Sequence, residues 1–150
     1  MTNGARWLAV LGAIAVWGCS GGSEGSSSTP AIRGTVEYTG ALHGPLRVAV
    51  FTSFPPRGAP IAVKDIVEPR FPQSFEVTGV PPGRYFVLAA IAHDGVVATK
   101  FRPSVDPGGA FGGYLTPQAL TVDSVGSAGG VNLTLVDPSE RSPWSVPGYR

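Results

Sequence analysis

Hydrophobic and polar residues alternate in short runs along the chain after Pro30. In residues 32–38, for example, Ile32, Val36 and Tyr38 fall on one face together with Gly34, and polar residues fall on the other. A period of two is typical of a strand with one buried face. The pattern predicts strands at residues 32–38, 46–52, 61–67, 73–77, 84–92, 96–101, 118–123 and 130–136.

Three of these runs carry more specific expectations. Residues 84–92 are nine almost wholly apolar residues between two turn sequences, which predicts a strand buried on both faces. Residues 96–101 are expected to pair with it in a hairpin across His93-Asp94-Gly95. Residues 61–67 follow a proline-rich stretch and are expected to form a short edge strand.

Seven or eight short strands joined by turns predict an all-β fold. The chain contains 21 glycines and 15 prolines, the composition expected of many tight turns. Two antiparallel sheets packed as a β-sandwich would bury the apolar faces. We expect this domain to cover residues 31–136, with a long glycine-rich loop at 103–117. Residues 137–150 read as an irregular tail, whose Trp144 is expected to pack back onto the sandwich.

The first 18 residues have the zones of an export signal. One positive charge, Arg6, precedes an apolar run at residues 7–17, which is too short for a bilayer span of roughly 20 residues. Such a segment at the N-terminus predicts a signal peptide rather than a core helix. The chain's one cysteine, Cys19, follows directly, so no intrachain disulfide is possible.

The end of the apolar run, Val16-Trp17-Gly18-Cys19, resembles the lipobox of bacterial lipoproteins. The resemblance implies cleavage before Cys19 and lipid attachment to its thiol, although Trp17 replaces the usual small residue. A free structural or reactive thiol is the alternative. Several acyl chains would hold the protein firmly at a membrane. Ser20 stands where an Asp often marks inner-membrane retention, which favours the outer membrane. Residues 19–30 then form a lipidated Gly/Ser linker.

Charge gives no indication of nucleic-acid binding. Without Arg6 of the signal, ten basic residues balance ten acidic ones. A protein that binds nucleic acid or anionic lipid through its side chains usually carries a basic surplus.

Residues 74–92 resemble the centre of the carboxypeptidase regulatory-like, or prealbumin-like (transthyretin-like), β-sandwich family. The resemblance rests on Phe75, the turn Val80-Pro81-Pro82-Gly83, and Tyr85 and Val87 on the following strand. It extends to an I-x-G-x-V opening at residues 32–36. It implies a prealbumin-like Greek key in which a hairpin contains the PPG turn. Members are typically non-catalytic modules of exported proteins, so the resemblance implies a fold more than a function.

No constellation for catalysis is visible, and we expect no enzyme activity. The chain lacks a G-x-S-x-G elbow, and its histidines, His43 and His93, lie in turn-like sequence. A related hydrolase of hydroxyisourate ends in Y-R-G-S and has a histidine on its first strand. This chain ends in Tyr149-Arg150 and has no such histidine, so that activity is a distant third hypothesis.

No metal or cofactor is expected either, since Asp94 and Asp106 beside His93 offer too few oxygen ligands for calcium. The sequence favours a lipid-anchored envelope protein whose sandwich is a structural or protein-interaction module. The alternative is a binding module for carbohydrate or another small ligand. Its aromatic platform would be formed by Phe111, Tyr114, Trp144 and Tyr149.

Overall fold

The structure is a computed structural model, and it describes residues 29–92, 101–124 and 126–141. Within these ranges the chain forms eight strands and one short 3-10 helix at Pro138–Arg141. The strands are β1 (Ala31–Glu37), β2 (Leu46–Phe51), β3 (Ala62–Ile66), β4 (Gln73–Thr78), β5 (Gly83–Ile91), β6 (Gly108–Ala110), β7 (Ala119–Val122) and β8 (Ala128–Thr134).

The strands form two sheets, which confirms the predicted all-β sandwich class. Sheet A has the order β4-β1-β8, and sheet B has the order β3-β2-β5. The far edge of β5 is shared by two short strands: β6 lies opposite Leu88–Ala90, and β7 lies opposite Gly83–Phe86. The five-stranded sheet B is therefore wider than sheet A.

One strand pair departs from the predicted antiparallel arrangement. β1 and β8 run parallel, whereas the other described strand pairs are antiparallel. Parallel neighbours need a long crossover connection, and here the six intervening strands supply it. The register slips between Ile32 and Gly34, where β8 carries one extra residue. Gly130, with φ of 71°, lies in this bulge.

The core lies between the two sheets and is built by the alternation seen in the sequence. In β1, Ile32 and Val36 are fully buried while Arg33 and Glu37 are exposed. The other strands contribute in the same way, because one face of each packs inward. The largest fully buried side chains are Ile32, Leu46, Ile91, Leu133, Val36, Val48, Val50, Val77, Val80, Val87, Val122 and Val131.

The prediction that residues 84–92 are buried on both faces is wrong for one of the two faces. Tyr85, Val87, Ala89 and Ile91 are buried, but the alternate residues of β5, such as Phe86 and Leu88, are only half-buried. These outward residues are apolar although no second sheet of the described strands packs over them, and for this reason the run resembles a strand covered on both faces.

The hairpin predicted for residues 96–101 falls mostly outside the described residues, which resume at Phe101. Phe101 itself lies in no strand. Both edges of β5 are occupied by other strands, β2 on one side and β6 with β7 on the other. The predicted loop at 103–117 also contains β6, whose three residues were too few, and too rich in glycine, to show alternation.

The turn Val80-Pro81-Pro82-Gly83 does not close a hairpin. β4 belongs to sheet A and β5 to sheet B, so this turn carries the chain from one sheet to the other. Val80 is fully buried, and its amide donates to the carbonyl of Pro30 at 3.4 Å. The turn therefore closes the end of the sandwich at which the described chain begins.

We name this end the tether end, since Thr29 and Pro30 enter β1 there. The opposite end, the far end, is where β1 and β5 finish and where Asp137 lies. A seven-residue strand such as β1 spans about 23 Å, which gives the separation of the two ends.

Candidate functional site

Several of the residues singled out in the sequence lie outside the described part of the chain. They are Cys19, the proposed lipid attachment site, the two tail aromatics Trp144 and Tyr149, and His93 with Asp94. Their predicted roles stay predictions.

The two loop aromatics of the predicted ligand platform are described, and they differ in their surroundings. Phe111 follows β6 directly, and its side chain is partly buried against the core. Its amide donates to Val87 at 2.9 Å and its carbonyl accepts from Gln118 at 2.7 Å, which ties the loop to both β5 and β7. Tyr114 is half-buried, while the neighbouring Leu115 is 74% exposed. Phe111 therefore covers the edge of the core.

A hydrogen bond between Tyr38 and Asp137 joins β1 to the tail at the far end. The Tyr38 hydroxyl donates to Asp137 Oδ1 at 2.5 Å and accepts from the Leu42 amide at 3.2 Å. Burial of the hydroxyl, followed by its bond to the Asp137 carboxylate, raises the pKa of Tyr38 to about 12. The ring of Tyr38 also meets Phe71 edge-on, with centroids 5.5 Å apart. The contacts of Tyr38 thus join the β1–β2 loop, the β3–β4 loop and the segment after β8.

The far end also carries a shallow depression of about 280 Å³ beside this cluster. It is lined by His43, Gly44, Val67, Glu68, Pro69 and Phe71. His43 is exposed there, in the turn between β1 and β2, as the sequence suggested. Among the described residues, no buried side-chain nitrogen or oxygen is left without a hydrogen-bond partner, so none is available there for a ligand.

A second polar cluster, formed by Arg102 and Asp106, lies in the segment before β6. Asp106 is 1% exposed, and its carboxylate accepts hydrogen bonds from the amide, Nε and Nη2 of Arg102 at 2.9 to 3.0 Å. Sequence analysis considered Asp106 only as a poor calcium ligand. The structure shows instead that it pairs with Arg102, so the ion pair shapes a loop.

The larger surface concavity lies along the side of the sandwich, between the edge strands β3 and β4. It has a volume of about 510 Å³, and we call it the lateral groove. It is lined by Arg33, Gly34, Lys64, Ile66, Gln73, Ser74, Phe75 and Glu76. On one wall of the groove, β3 contributes the charged Lys64 and the apolar Ile66. Residues of β4 form the opposite wall.

Lys64 occupies an unusual position in this groove. It lies directly opposite Val48 of β2, which is fully buried, so Lys64 points to the inner face of sheet B. It is nevertheless exposed, as are its neighbours Val63 and Asp65. In the described part of the chain its ammonium makes no ion pair or hydrogen bond.

The other charges near the groove are paired. Arg33 donates from Nε and Nη2 to Glu76 Oε1 at 2.9 and 2.6 Å, across the outer face of sheet A. Arg47 and Asp65 pair on the outer face of sheet B, and this bond raises the pKa of Arg47. Among the described residues that line the groove, Lys64 is therefore the cation without a partner, while Arg33 is neutralised by Glu76.

The lateral groove was not predicted from the sequence, although the sequence contains a signal for it. The inward positions of β3 are Ala62, Lys64 and Ile66, so a lysine interrupts an otherwise apolar face. An inward charge on an edge strand is a known device against unwanted strand pairing, and it marks a position left uncovered by the other sheet. The sequence pattern predicted the edge strand but not that its lysine lies in a groove.

Comparison with known proteins adds no relative. No protein-family model, no curated protein and no solved structure matches the chain. Over the described residues, no group of three or more His, Cys, Asp or Glu side chains is placed to hold a metal ion. No helix in those ranges has the length and apolar character needed to cross a membrane.

Proposed function

We propose that this protein is a bacterial envelope lipoprotein, anchored by lipid on Cys19, whose β-sandwich is a non-catalytic structural or protein-interaction module. The observation that carries the proposal is the order of segments. An apolar run ends in Val16-Trp17-Gly18-Cys19, a Gly/Ser stretch follows, and strand β1 begins at Ala31. This is the arrangement expected of a folded domain on a lipid tether.

The placement of the two ends supports a tethered module. The linker would enter at the tether end, beside the turn at residues 79–83. The far end, about 23 Å away along β1, and the lateral groove would both stay clear of the attachment point. A partner could thus reach these surfaces while the lipid remains in the membrane.

The sandwich type also supports an exported, non-catalytic module. In the resemblance to carboxypeptidase regulatory-like domains, the aromatic and aliphatic positions around the V-P-P-G turn belong to the core. Phe75, Val80, Tyr85 and Val87 are all buried here. Of the buried or half-buried acids described above, Asp137 bonds to Tyr38 after β1, and Asp106 pairs with Arg102 within its own segment. Their hydrogen bonds serve packing rather than a reaction.

The anchor is tested by mass spectrometry of the mature protein from its native host after membrane fractionation. We expect a triacylated N-terminus at Cys19 in the membrane fraction. Cys19→Ser should abolish acylation and leave an unprocessed precursor, whereas the neighbouring Ser23→Ala should change neither. An unmodified product cleaved elsewhere would refute the anchor.

The proposed outer-membrane location has a separate test. Because Ser20 follows the lipidated residue, Ser20→Asp should move the protein to the inner membrane in a density gradient, and Ser20→Ala should not. Equal distribution of the two variants would show that this position does not direct sorting.

A further inference from the structure

We infer that the lateral groove binds an extended peptide strand that pairs with the free edge of β4 and places a carboxylate on Lys64. This inference rests on the proposed role as a protein-interaction module and names the chemistry of the partner. It follows from three features of the groove: a free strand edge, an unpaired cation and an alternation of side chains.

The first feature is a free strand edge. Sheet A ends at β4, and among the described strands β4 has only β1 as a neighbour. Sheet B continues on the same side to β3, whose inner face carries Lys64 and Ile66 beside β4. Strands β3 and β4 come close together at this edge of the sandwich. Paired strands lie about 4.8 Å apart, so a strand added to the free edge of β4 would run along the groove beside Lys64. Addition of a peptide strand to an exposed edge is a common recognition mode.

The second feature is the charge of Lys64. Its ammonium is exposed within the groove, and the described residues supply no anion to it. The carboxylate that lines the groove, Glu76, already accepts two bonds from Arg33. A strand in the groove would therefore bring an acidic side chain to Lys64, and a basic one would be repelled.

The third feature is the spacing. Lys64 and Ile66 are two residues apart on one face of β3, and Ile66 is half-buried against the core. Side chains on one face of the incoming strand also repeat every two residues. The groove thus favours a peptide with an acidic residue followed or preceded, two positions away, by an apolar one.

A designed peptide tests the inference without knowledge of the natural partner. The probe is fluorescein-labelled Thr-Val-Thr-Glu-Thr-Val-Thr, in which valines flank the central Glu on both sides so that either strand direction fits. Binding to the full chain, purified from membranes in mild detergent, is followed by fluorescence anisotropy. We expect saturable binding that weakens as salt is added, because the charge pair is exposed to solvent.

The charge contact is tested by matched variants. Lys64→Gln, or Gln in place of the peptide's Glu, should weaken binding about two- to fivefold, as expected for an exposed ion pair. Lys64→Glu should weaken it on the order of tenfold and should prefer a peptide with a central Lys. Lys64→Arg should bind as well as the parent. Arg84→Gln, an exposed cation on the outer face of sheet B, is the control and should have no effect.

Strand pairing is tested by the peptide backbone. The probe for this test is Thr-Val-Thr-Glu-Thr-Thr-Thr, whose single Val lets Ile66 select one strand direction. It is N-methylated either at its even or at its odd positions, so that each version loses the amides on one edge. Pairing with β4 predicts that one of them binds at least tenfold more weakly while the other binds normally. An equal response of the two probes would overturn the strand geometry.

Other outcomes overturn the inference as a whole. They are the absence of binding at about 1 mM chain, equal affinity of the parent and Lys64→Glu, or self-association that depends on Lys64 without peptide binding. The last result would assign the groove to a second copy of the chain.

Acylation at Cys19 is measured independently, so an unacylated chain that binds the probe refutes the anchor alone. An acylated chain that does not bind the probe refutes the peptide site alone.

Discussion

Alanine at position 34 tests the parallel pairing of β1 and β8. Gly34 lies in β1 opposite Val131, immediately after the slip in register. A Cβ atom at this position would lie 1.8 Å from the Val131 carbonyl oxygen and 3.0 Å from Cζ of Phe75. Non-bonded contacts are most favourable at about 3.5 Å or more, so the strands would have to separate by about 1.5 Å.

The cost follows from what must move. The obstacle is backbone, which cannot turn aside as a flexible side chain can. Separation of the strands would break about two backbone hydrogen bonds, each worth about 1 kcal/mol net. Strain in the core beside Phe75 adds about 1 to 3 kcal/mol, as for other overpacked sites. We therefore expect Gly34→Ala to lower the free energy of unfolding by about 3 to 5 kcal/mol, against a typical total of about 5 to 15 kcal/mol.

Two glycines of β8 provide controls for this measurement. Gly129 has open space around its Cβ position and ordinary φ, so Gly129→Ala should be neutral or slightly stabilising. Gly130 also has open space but φ of 71°, so Gly130→Ala should cost about 1 kcal/mol through backbone strain alone. Gly129→Ala should therefore be the most stable of the three variants, Gly130→Ala intermediate and Gly34→Ala the least stable.

The assay is urea unfolding of the full chain followed by circular dichroism, with the midpoint and slope fitted together. A Gly34→Ala midpoint within error of the parent, at equal slope, would refute the close approach of β1 and β8. Equal losses for all three alanines would show that glycine flexibility in the unfolded chain, rather than the clash, decides the effect.

Three further predictions concern polar contacts. Tyr38→Phe should cost about 1 kcal/mol by removing the bond to Asp137. Because the pKa of Tyr38 is raised to about 12, its contribution should be complete below pH 10 and lost between pH 10 and about 12, as seen by urea midpoints across that range. Asp106→Asn should cost about 2 kcal/mol, since the buried carboxylate pairs with Arg102, and a midpoint equal to the parent's would contradict this. A double-mutant cycle on the exposed pair Arg47 and Asp65 should give a coupling below about 1 kcal/mol.

Most of the strands were predictable because their alternation is local. Predicted strands at residues 32–38, 46–52, 61–67, 73–77, 84–92, 118–123 and 130–136 correspond to observed strands within a few residues at each end. Strand β6 was not predicted because Gly108, Gly109 and Ala110 show no alternation of polar and apolar side chains. A side chain at Gly109 would also collide with the carbonyl of Thr134. Its place is set by that contact and not by its own sequence.

The candidate groove could be predicted only in part. The edge character of β3 followed from the prolines before it, and the lysine was visible at an inward position. That the groove exists depends on how the edge strands β3 and β4 of the two sheets come to lie beside one another, which no single strand encodes. Phe111 shows the same limit, because its position in a glycine-rich loop fits both a ligand surface and a cover for the core. The tertiary structure packs its side chain partly against the core.

The sequence by itself determined the all-β class, the inward face of the regular strands and the expectation of a tethered, exported domain. The tertiary structure alone decided that β1 pairs with β8 in parallel, that the V-P-P-G turn joins two sheets, and that Lys64 faces an open groove. The physical reason is that the period of two specifies which side of a strand is buried. It does not specify the neighbour, because pairing is chosen by contacts between residues far apart in the chain.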